Sequence, residues 1–297
     1  MGEKTITSST RIGFIGLGNL GSRIAHRLMT AGFPMTVYDR DRAKTKALDA
    51  LGAAVAPDTR KLTDRVDVVL SCVPDKAAVE SVYLGPNGVL RTARPGTVII
   101  EMSTVGPETS QALSKAAHEL GISVLDVPVS GSTAAAEAAA LTLFGGGNRQ
   151  TFEDASPIFA AIAKQWFYMG RSGSGVAMKL VVNTLLGLGM QAVAEAAALG
   201  QKLGLPREAL FETLAKTAVV APALAGKLGS ARQNDYAPQF PVRLMSKDFG
   251  LILAAAAQLE LSMPATERAA AVSSAEAATG GEEDFSAVIR RMELQEA

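Results

Sequence analysis

The chain has 297 residues, which is enough for two domains with a substantial core. Its 29 basic and 29 acidic residues balance, which argues against a nucleic-acid partner because phosphate binding needs a basic surface. Cys72 is the one cysteine, so an internal disulfide is excluded. Residues 1–10 lack the apolar segment of a signal peptide, and the apolar run Leu180–Ala194 is shorter than a membrane span. We therefore expect a cytoplasmic protein without a membrane partner.

A glycine-rich turn lies between a predicted strand and a predicted helix near the start of the chain. The strand Arg11–Gly16 precedes the helix Leu20–Ala31, and the next strand, Met35–Tyr38, ends at Asp39. The turn fits G-x-G-x-x-G with Gly16, Leu17, Gly18, Asn19, Leu20 and Gly21. Its glycines suit a tight turn, close approach of the backbone to a pyrophosphate, and close packing of helix on strand. The complete unit predicts dinucleotide binding, against the alternative of a glycine turn without a ligand.

Two neighbouring residues at the end of the second strand favour different cofactors. The carboxylate of Asp39 can accept hydrogen bonds from the ribose hydroxyls of NAD and would repel the 2′-phosphate of NADP. Arg40, with Arg42 and Lys44 nearby, could bind that phosphate, although a solvated basic helix start is an equally simple explanation. We expect NAD or NADP as the cofactor, with a preference for NAD.

Strand and helix patterns continue to alternate up to residue 170. Near-continuous apolar strands predict a parallel sheet that is covered on both faces. Val73 and Pro74 end one such strand, so they should border the cofactor at the carboxyl edge of the sheet. Further strands are predicted at Ala54–Val55, Val66–Val73, Thr97–Glu101, Val124–Val127, Leu141–Gly145 and Phe167–Met169, and helices at Arg42–Leu51, Ala77–Tyr83, Glu108–Leu120 and Ala134–Ala140.

The segment after the strand Val124–Val127 has the composition of an anion-binding loop. Ser130, Gly131 and Ser132 can offer hydroxyl groups and clustered backbone N–H groups, which suit a carboxylate. An ordinary turn is the alternative on this stretch alone.

Beyond Gly170 the strand patterns stop, and the remaining chain predicts helices. We expect a Rossmann-type doubly wound α/β domain at residues 1–171 and an all-α domain at residues 172–297. The all-α domain should begin with a long interdomain helix. The predicted helices are Ser174–Leu203, Arg207–Ala215, Pro222–Leu228, Met245–Leu259, Pro264–Ser274 and Phe285–Leu294.

The long helix carries two polar side chains in an apolar stretch. Lys179 and Asn183 are four residues apart, so they share one face. They suggest a buried proton donor beside a substrate-orienting amide, whereas the alternative is a lysine that extends to solvent from the helix start. Lys247 and Asp248 on their own would be a surface pair, and we expect Phe240 to be exposed in the loop before them. We see no metal site.

Six motifs in this order carry a resemblance to a known family: GFIGLGNLG, MSTVGPET, DVPVSGS, GSGVAMKLVVN, FPVRLMSKDFGLIL and EEDFSAVI. From Arg11 to about Met292 the chain resembles the β-hydroxyacid dehydrogenase family. The resemblance implies an NAD(P)-dependent enzyme that transfers a hydride between nicotinamide and a small hydroxy acid or semialdehyde. It also implies a homodimer or homotetramer. The roles it implies are catalysis for Lys179, substrate binding for Asn183, Ser130, Gly131, Phe240 and Asp248, and contacts near the nicotinamide for Ser103, Thr104 and Lys247.

Three positions depart from the family pattern. Ser132 and Ala139 each stand where the family usually has glycine, and Val182 stands where it usually has a second asparagine. These departures bear on the substrate more than on the reaction. An imine reductase-like enzyme is one alternative, although such relatives usually lack a lysine at position 179. A cofactor-binding sensor without turnover is another, although a sensor would need only the first domain.

Overall fold

A computed structural model of the chain describes residues 6–294. Within them, the chain forms two compact units that are divided between Lys179 and Leu180. The division falls inside the long helix that begins the second half of the chain. The expected domain boundary after residue 171 stays a prediction, and the two units are described in turn.

The first unit is built on a nine-stranded sheet, as far as residues 6–294 are concerned. Its strands are β1 (Ile12–Ile15), β2 (Met35–Tyr38), β3 (Ala54–Val55), β4 (Val68–Ser71), β5 (Val98–Glu101), β6 (Ser123–Asp126), β7 (Val129–Ser130), β8 (Leu141–Gly146) and β9 (Ala163–Gly170).

The strand order confirms a doubly wound sheet. The first six strands are parallel in the order β3-β2-β1-β4-β5-β6, so the chain moves to one side of β1 and then to the other. Beyond β6 the sheet is mixed, because β8 pairs antiparallel with β6 and β7, and β9 pairs parallel with β8. The reversal of strand order at β1 opens a crevice at the carboxyl ends of β1 and β4, where such folds bind nucleotides.

Helices cover this sheet, and several of them are short. They are α1 (Asn19–Thr30), α2 (Lys46–Asp49), α3 (Thr59–Thr63), α4 (Lys76–Leu84), α5 (Pro107–His118), α6 (Thr133–Glu137), α7 (Arg149–Asp154) and α8 (Ser156–Ile162). The sequence predicted none of α3, α7 and α8, because helices this short show little periodicity. The predicted helix Arg42–Leu51 is in fact a 3-10 turn, Arg42–Thr45, followed by α2.

The second unit is helical, as expected. Its helices are α9 (Ser174–Lys202), α10 (Arg207–Lys216), α11 (Pro222–Arg232), α12 (Val242–Gln258), α13 (Pro264–Gly280) and α14 (Val288–Glu293), with a 3-10 turn at Phe285–Ala287. Several of these helices are longer than predicted. Their apolar side chains form a core of their own, which includes Met190, Phe211 and Phe249.

Helix α9 is longer and more apolar than an ordinary surface helix. Its 29 residues are sufficient, by length and composition alone, to cross a membrane, which corrects the expectation that its apolar run is too short. The core helix of a soluble protein passes the same test, so this property does not by itself indicate a membrane span.

Candidate active site

The glycine turn of the first unit has the geometry that the sequence predicted. Gly16 has a φ of +91°, a left-handed conformation that favours glycine, and a side chain there would overlap the carbonyl oxygen of Cys72. A Cβ on Gly21 would overlap the carbonyl oxygen of Gly16, so the helix packs directly on the turn. By contrast, a Cβ on Gly18 would meet no atom within 4 Å. The chain therefore leaves space in front of Gly18, where the backbone can approach a ligand.

The N-terminus of α1 meets the requirements of a phosphate site. Gly18 is its N-cap residue, and no side chain caps the helix. No capping side chain therefore accepts hydrogen bonds from the N–H groups of its first turn or offsets the positive end of its dipole. Asn19 is exposed beside the turn, whereas Leu17 and Leu20 pack against the core of the sheet. These residues fit the pyrophosphate of a dinucleotide.

Asp39 is fixed at the carboxyl end of β2. Its Oδ2 accepts a hydrogen bond from the backbone N–H of Leu17 over 2.7 Å, and its Oδ1 accepts one from that of Asp41 over 2.8 Å. Nζ of Lys44 lies 3.9 Å from Oδ1, and Arg40 is exposed. A buried carboxylate thus stands beside the glycine turn, with basic side chains on its solvent side.

The segments that follow β4 and β5 are joined to each other. The backbone N–H of Val73 donates to Oγ of Ser103 over 2.8 Å. Ser103 is buried, Thr104 and Val73 are half-buried, and Pro74 is exposed. Of the residues expected to contact the cofactor here, Val73 and Ser103 are therefore in contact at the carboxyl edge of the sheet, with Pro74 and Thr104 next to them in the chain.

Glu101, which the sequence analysis did not single out, is buried at this edge. Its Oε1 accepts hydrogen bonds from the backbone N–H of Ser103 over 2.9 Å and from Oγ of Ser71 over 3.1 Å. Its Oε2 is buried and meets no hydrogen-bond donor among the described residues. Burial raises the pKa of Glu101 to about 7, although the hydrogen bonds from Ser103 and Ser71 oppose the rise, and nearby Asp126 adds to it.

A second buried carboxylate, Asp126, joins the end of β6 to the start of α9. Its Oδ1 accepts a hydrogen bond from the backbone N–H of Gly173 over 2.8 Å, and its Oδ2 accepts one from that of Val176 over 3.0 Å. Burial raises the pKa of Asp126, while these backbone hydrogen bonds act in the opposite direction. A negative charge at the N-terminus of a helix is also favoured by the helix dipole. The helix that carries Lys179 is thus fastened to the strand that leads to Ser130.

The segment predicted as an anion-binding turn is partly extended. Val129 and Ser130 form β7, which pairs with β8, so the backbone of Ser130 belongs to the sheet. Gly131 has a φ of +145° and is exposed. Oγ of Ser132 accepts a hydrogen bond from the backbone N–H of Ala135 over 3.2 Å and caps α6. The hydroxyl that replaces the family glycine is therefore engaged with the backbone of its own chain.

Lys179 and Asn183 lie one turn apart on α9. Lys179 is half-buried, and Asn183 is fully buried. Nδ2 of Asn183 donates to Oδ2 of Asp248 over 2.6 Å, and Nζ of Lys247 lies 3.0 Å from Oδ1 of Asp248. Because Asp248 is 1% exposed, the alternative of a simple surface pair at Lys247 and Asp248 is wrong. Asn183 and Asp248 are 65 positions apart in the sequence, and the structure brings their side chains into contact.

Phe240 is half-buried, so the expectation that it is exposed is wrong. Its ring packs edge-on against the ring of Phe285, with 5.8 Å between the centroids. Its backbone N–H and that of Gln239 each donate to Oδ2 of Asp284 over 3.1 Å. Nζ of Lys227 lies 2.7 Å from the same oxygen. A buried ion pair therefore holds the loop that carries Phe240.

The residues that sequence reasoning missed are buried carboxylates. Glu101 directly precedes the MSTVGPET motif, Asp126 begins DVPVSGS, and Asp284 lies within EEDFSAVI. Each is an acid beside apolar residues, which is the signal that could have found them. Within residues 6–294, no group of three or more potential ligands is arranged for a metal ion.

Profiles of known protein families match both halves of the chain. The profile described as the NAD binding domain of 6-phosphogluconate dehydrogenase matches residues 11–170. The profile described as NAD-binding of NADP-dependent 3-hydroxyisobutyrate dehydrogenase matches residues 173–292.

Relatives of known activity match along almost the whole chain. A 2-(hydroxymethyl)glutarate dehydrogenase of Eubacterium barkeri is 37% identical over 95% of this chain and 94% of its own length. Glyoxylate/succinic semialdehyde reductase 1 of Arabidopsis thaliana is 34% identical over 95% of this chain and 98% of its own length. The solved structure of 3-hydroxyisobutyrate dehydrogenase from Mycobacterium tuberculosis with L-serine superposes with a TM-score of 0.87 at 32% identity and covers 96% of this chain and 99% of that one.

Fold, glycine turn and profiles together define an NAD(P)-dependent oxidoreductase. The chain belongs to the β-hydroxyacid dehydrogenase family. The resemblance found in the six sequence motifs is thereby confirmed. The solved structure matches 96% of this chain, so α9 is a helix of this dehydrogenase fold.

Proposed function

We propose that this enzyme reversibly transfers a hydride between nicotinamide and a short hydroxy acid or semialdehyde that carries one carboxylate, with Lys179 as the proton donor and acceptor. The observation that carries the proposal is the junction at Asp126. One carboxylate fastens the helix of Lys179 to the strand that precedes Ser130, which is the loop proposed to bind the substrate carboxylate. Lys179 and the Ser130 loop are thus connected through one buried carboxylate of the first unit.

Lys179 would act in opposite protonation states in the two directions. In reduction, its ammonium donates a proton to the carbonyl oxygen of the substrate. In oxidation, its neutral amine accepts the hydroxyl proton. Nicotinamide, when bound, supplies or accepts the hydride. Asn183, one turn along the same face of α9, is proposed to orient the hydroxyl group of the hydroxy acid.

The groups assigned to substrate binding suit a single carboxylate. Ser130 and Gly131 are proposed to bind it, with Ser132 supporting the loop by capping α6, and Phe240 is proposed to limit chain length. On the motifs that carry these residues, the one arginine is Arg243, three residues after Phe240. Arg243, the nearest candidate in sequence, is paired with Glu282, with 2.5 Å between Nε and Oε1. A second carboxylate therefore has no assigned partner.

The cofactor is proposed to bind along the glycine turn and the carboxyl ends of β4 and β5. Gly16, Gly18 and Gly21 would admit the pyrophosphate, with Leu17, Asn19 and Leu20 in the same turn. Asp39 favours NAD because a 2′-phosphate would meet its buried carboxylate, and Arg40 reduces that preference. The further residues assigned to the cofactor are Val73, Pro74, Ser103, Thr104 and Lys247.

Two further parts of the proposal concern the protein in the cell. We place the enzyme in the cytoplasm. We also propose a homodimer or homotetramer, because α9 carries large apolar side chains that its own unit leaves exposed.

A turnover screen with both cofactors tests this function. Glyoxylate, succinic semialdehyde, 3-hydroxyisobutyrate and L-serine would be compared with 2-(hydroxymethyl)glutarate, a phosphorylated sugar acid and a cyclic imine. We expect turnover of at least one single-carboxylate compound, with a higher kcat/KM for NAD than for NADP. Activity confined to the dicarboxylate, the phosphorylated acid or the imine would refute the substrate assignment. A strong preference for NADP would refute the role of Asp39.

A further inference from the structure

Asn183 on α9 and Asp248 on α12 are held together by close packing of two helices in the second unit. The hydrogen bond between them spans 2.6 Å, and the two side chains are 0% and 1% exposed. One turn further along α9, a Cβ on Gly187 would overlap the ring of Phe249 and lie 3.0 Å from Sδ of Met245. Glycine at this position permits the close approach that the hydrogen bond needs.

The carboxylate determines which end of the amide faces it. An ionised carboxylate can only accept hydrogen bonds, so the NH₂ group of Asn183 must point to Asp248. The ammonium of Lys247 lies 3.0 Å from the other oxygen of Asp248 and balances its buried negative charge. A flipped amide would place two oxygens against each other without a proton between them. The orientation of Asn183 is thus set from outside its own helix.

This orientation leaves the amide oxygen of Asn183 as a buried acceptor. Oδ1 meets no hydrogen-bond donor among residues 6–294. A buried carbonyl oxygen without a donor is destabilising, and a ligand that brings a donor removes that penalty. Asn183 and Lys179 are four residues apart on α9, so the two residues lie on the same face of the helix.

We propose that Asp248 is a positioning residue that orients the Asn183 amide so that its Oδ1 accepts a hydrogen bond from the hydroxyl of the bound hydroxy acid. The inference rests on the proposed function, because it takes a hydroxy acid as the substrate. In the bound state the hydroxyl donates to Asn183, and rotation about its C–O bond turns the same proton toward the neutral amine of Lys179. In this orientation Asn183 offers the substrate an acceptor, so it favours a ligand with a hydroxyl group over one with a methyl group at that position.

Binding of matched acids tests the inference without turnover. The enzyme is saturated with NADH, and dissociation constants are measured by nicotinamide fluorescence for glycolate and acetate, 3-hydroxypropanoate and propanoate, and 4-hydroxybutyrate and butyrate. The wild-type enzyme should bind the hydroxy acid of at least one pair about fivefold to tenfold more tightly than its partner, the usual effect of one hydrogen bond. Asn183→Ala and Asp248→Ala should each reduce that ratio to about one, and the double variant should reduce it no further.

Two more variants separate positioning from a general loss of structure. Asp248→Asn, which is nearly the same size, should also lower the ratio toward one: the Lys247 ammonium attracts its single amide oxygen, and the NH₂ group left facing Asn183 favours the flipped amide. Gly250→Ala is the matched control on α12, since a Cβ there meets no atom within 4 Å, and it should leave both constants unchanged. If Asp248→Ala weakens both acids of a pair equally, its role is only structural and the inference is wrong.

The two proposals fail in different ways. Turnover of a hydroxy acid by a wild-type enzyme that shows no preference for the hydroxyl in any pair would overturn this inference alone. Absence of both turnover and binding for all of the acids would remove the proposed function, and this inference with it.

Discussion

Oδ2 of Asp126 accepts a hydrogen bond from the backbone N–H of Val176 over 3.0 Å, three residues before Lys179 in the same helix. Its other oxygen accepts one from Gly173 over 2.8 Å. Asp126 ends β6, and Ser130 follows four residues later. The first residue of the DVPVSGS motif therefore has a structural partner in the helix, which explains why an acid stands at the head of a loop proposed to bind an anion.

Replacement of Asp126 should affect both stability and turnover. Asp126→Ala leaves two buried N–H groups without acceptors, so we expect the free energy of unfolding to fall by about 2–4 kcal/mol. We also expect kcat to fall more than the affinity for NADH, because the helix of Lys179 loses its attachment. Urea unfolding, steady-state kinetics and NADH fluorescence measure these effects. Asp49→Ala, at an exposed acid on α2, is the control. An unchanged kcat would contradict the role given to this junction.

Lys179 is predicted to be essential for proton transfer. Lys179→Ala should lower kcat by about 10² to 10⁴, the usual contribution of a general acid or base, while NADH affinity stays within twofold of wild type. Lys179→Arg should not restore oxidation, because arginine cannot become a neutral base. Lys202→Ala, at the exposed end of the same helix, should behave as wild type. Near-normal turnover by Lys179→Ala would refute the proposed mechanism.

Sequence reasoning succeeded where a residue type is dictated by its local backbone. Gly16 and Gly21 are required by a positive φ and by contact with the turn itself, and both constraints act within a few residues. The buried strands are recognisable because each is a continuous apolar run. In contrast, the N-cap of α7, Asn148, cannot be told from an ordinary loop residue in the sequence. Its role follows only from the structure, where its Oδ1 accepts a hydrogen bond from the backbone N–H of Thr151.

The site was less predictable because its contacts join distant positions. Asp126 is separated from Val176 by 50 positions, and Asn183 from Asp248 by 65, so neither pairing has a local signature. The side chain of Ser132 could be placed in the loop but not assigned, since the same hydroxyl suits a ligand or a helix cap. Its bond to the N–H of Ala135 depends on where α6 begins.

Glu101 should make stability depend on pH near neutrality. Its pKa is about 7 in the folded chain and 4.5 in its ordinary state, so the folded state holds its proton more tightly. The associated stability is complete below about pH 4.5 and is lost as the pH rises through about 7, a change on the order of 3 kcal/mol. Glu101→Gln mimics the protonated side chain, and its free energy of unfolding should vary less between pH 5 and pH 8. Urea unfolding across this range is the measurement, and parallel profiles for the two proteins would contradict the assignment.

Ala139 should be more favourable as glycine. Its φ of +52° is left-handed, and this conformation costs a residue with a side chain about 1–2 kcal/mol. Part of the gain is offset by the greater freedom of glycine in the unfolded chain, so Ala139→Gly should raise the free energy of unfolding by about 0.5–1 kcal/mol. Ala138→Gly is the matched control, because Ala138 has a φ of −84° and should lose stability instead. Urea midpoints compare the two, and a loss of stability in Ala139→Gly would show that the left-handed conformation is wrong.

Self-association is predicted from one face of α9. Val181, Leu185 and Leu199 on this helix, with Leu203 just beyond its end, are 56–73% exposed, and their spacings of 4 and 14 residues place them on one side. Each large apolar side chain gains about 1.5–3 kcal/mol when it is buried, so an exposed row of them favours a second copy of the helix. Light scattering at micromolar concentration should give two or four times the chain mass of 30.8 kDa. Leu185→Lys should lower that mass, whereas Leu51→Lys, at a 57% exposed leucine of the first unit, should not. A monomeric wild-type chain, or an unchanged mass for Leu185→Lys, would show that this face does not mediate assembly.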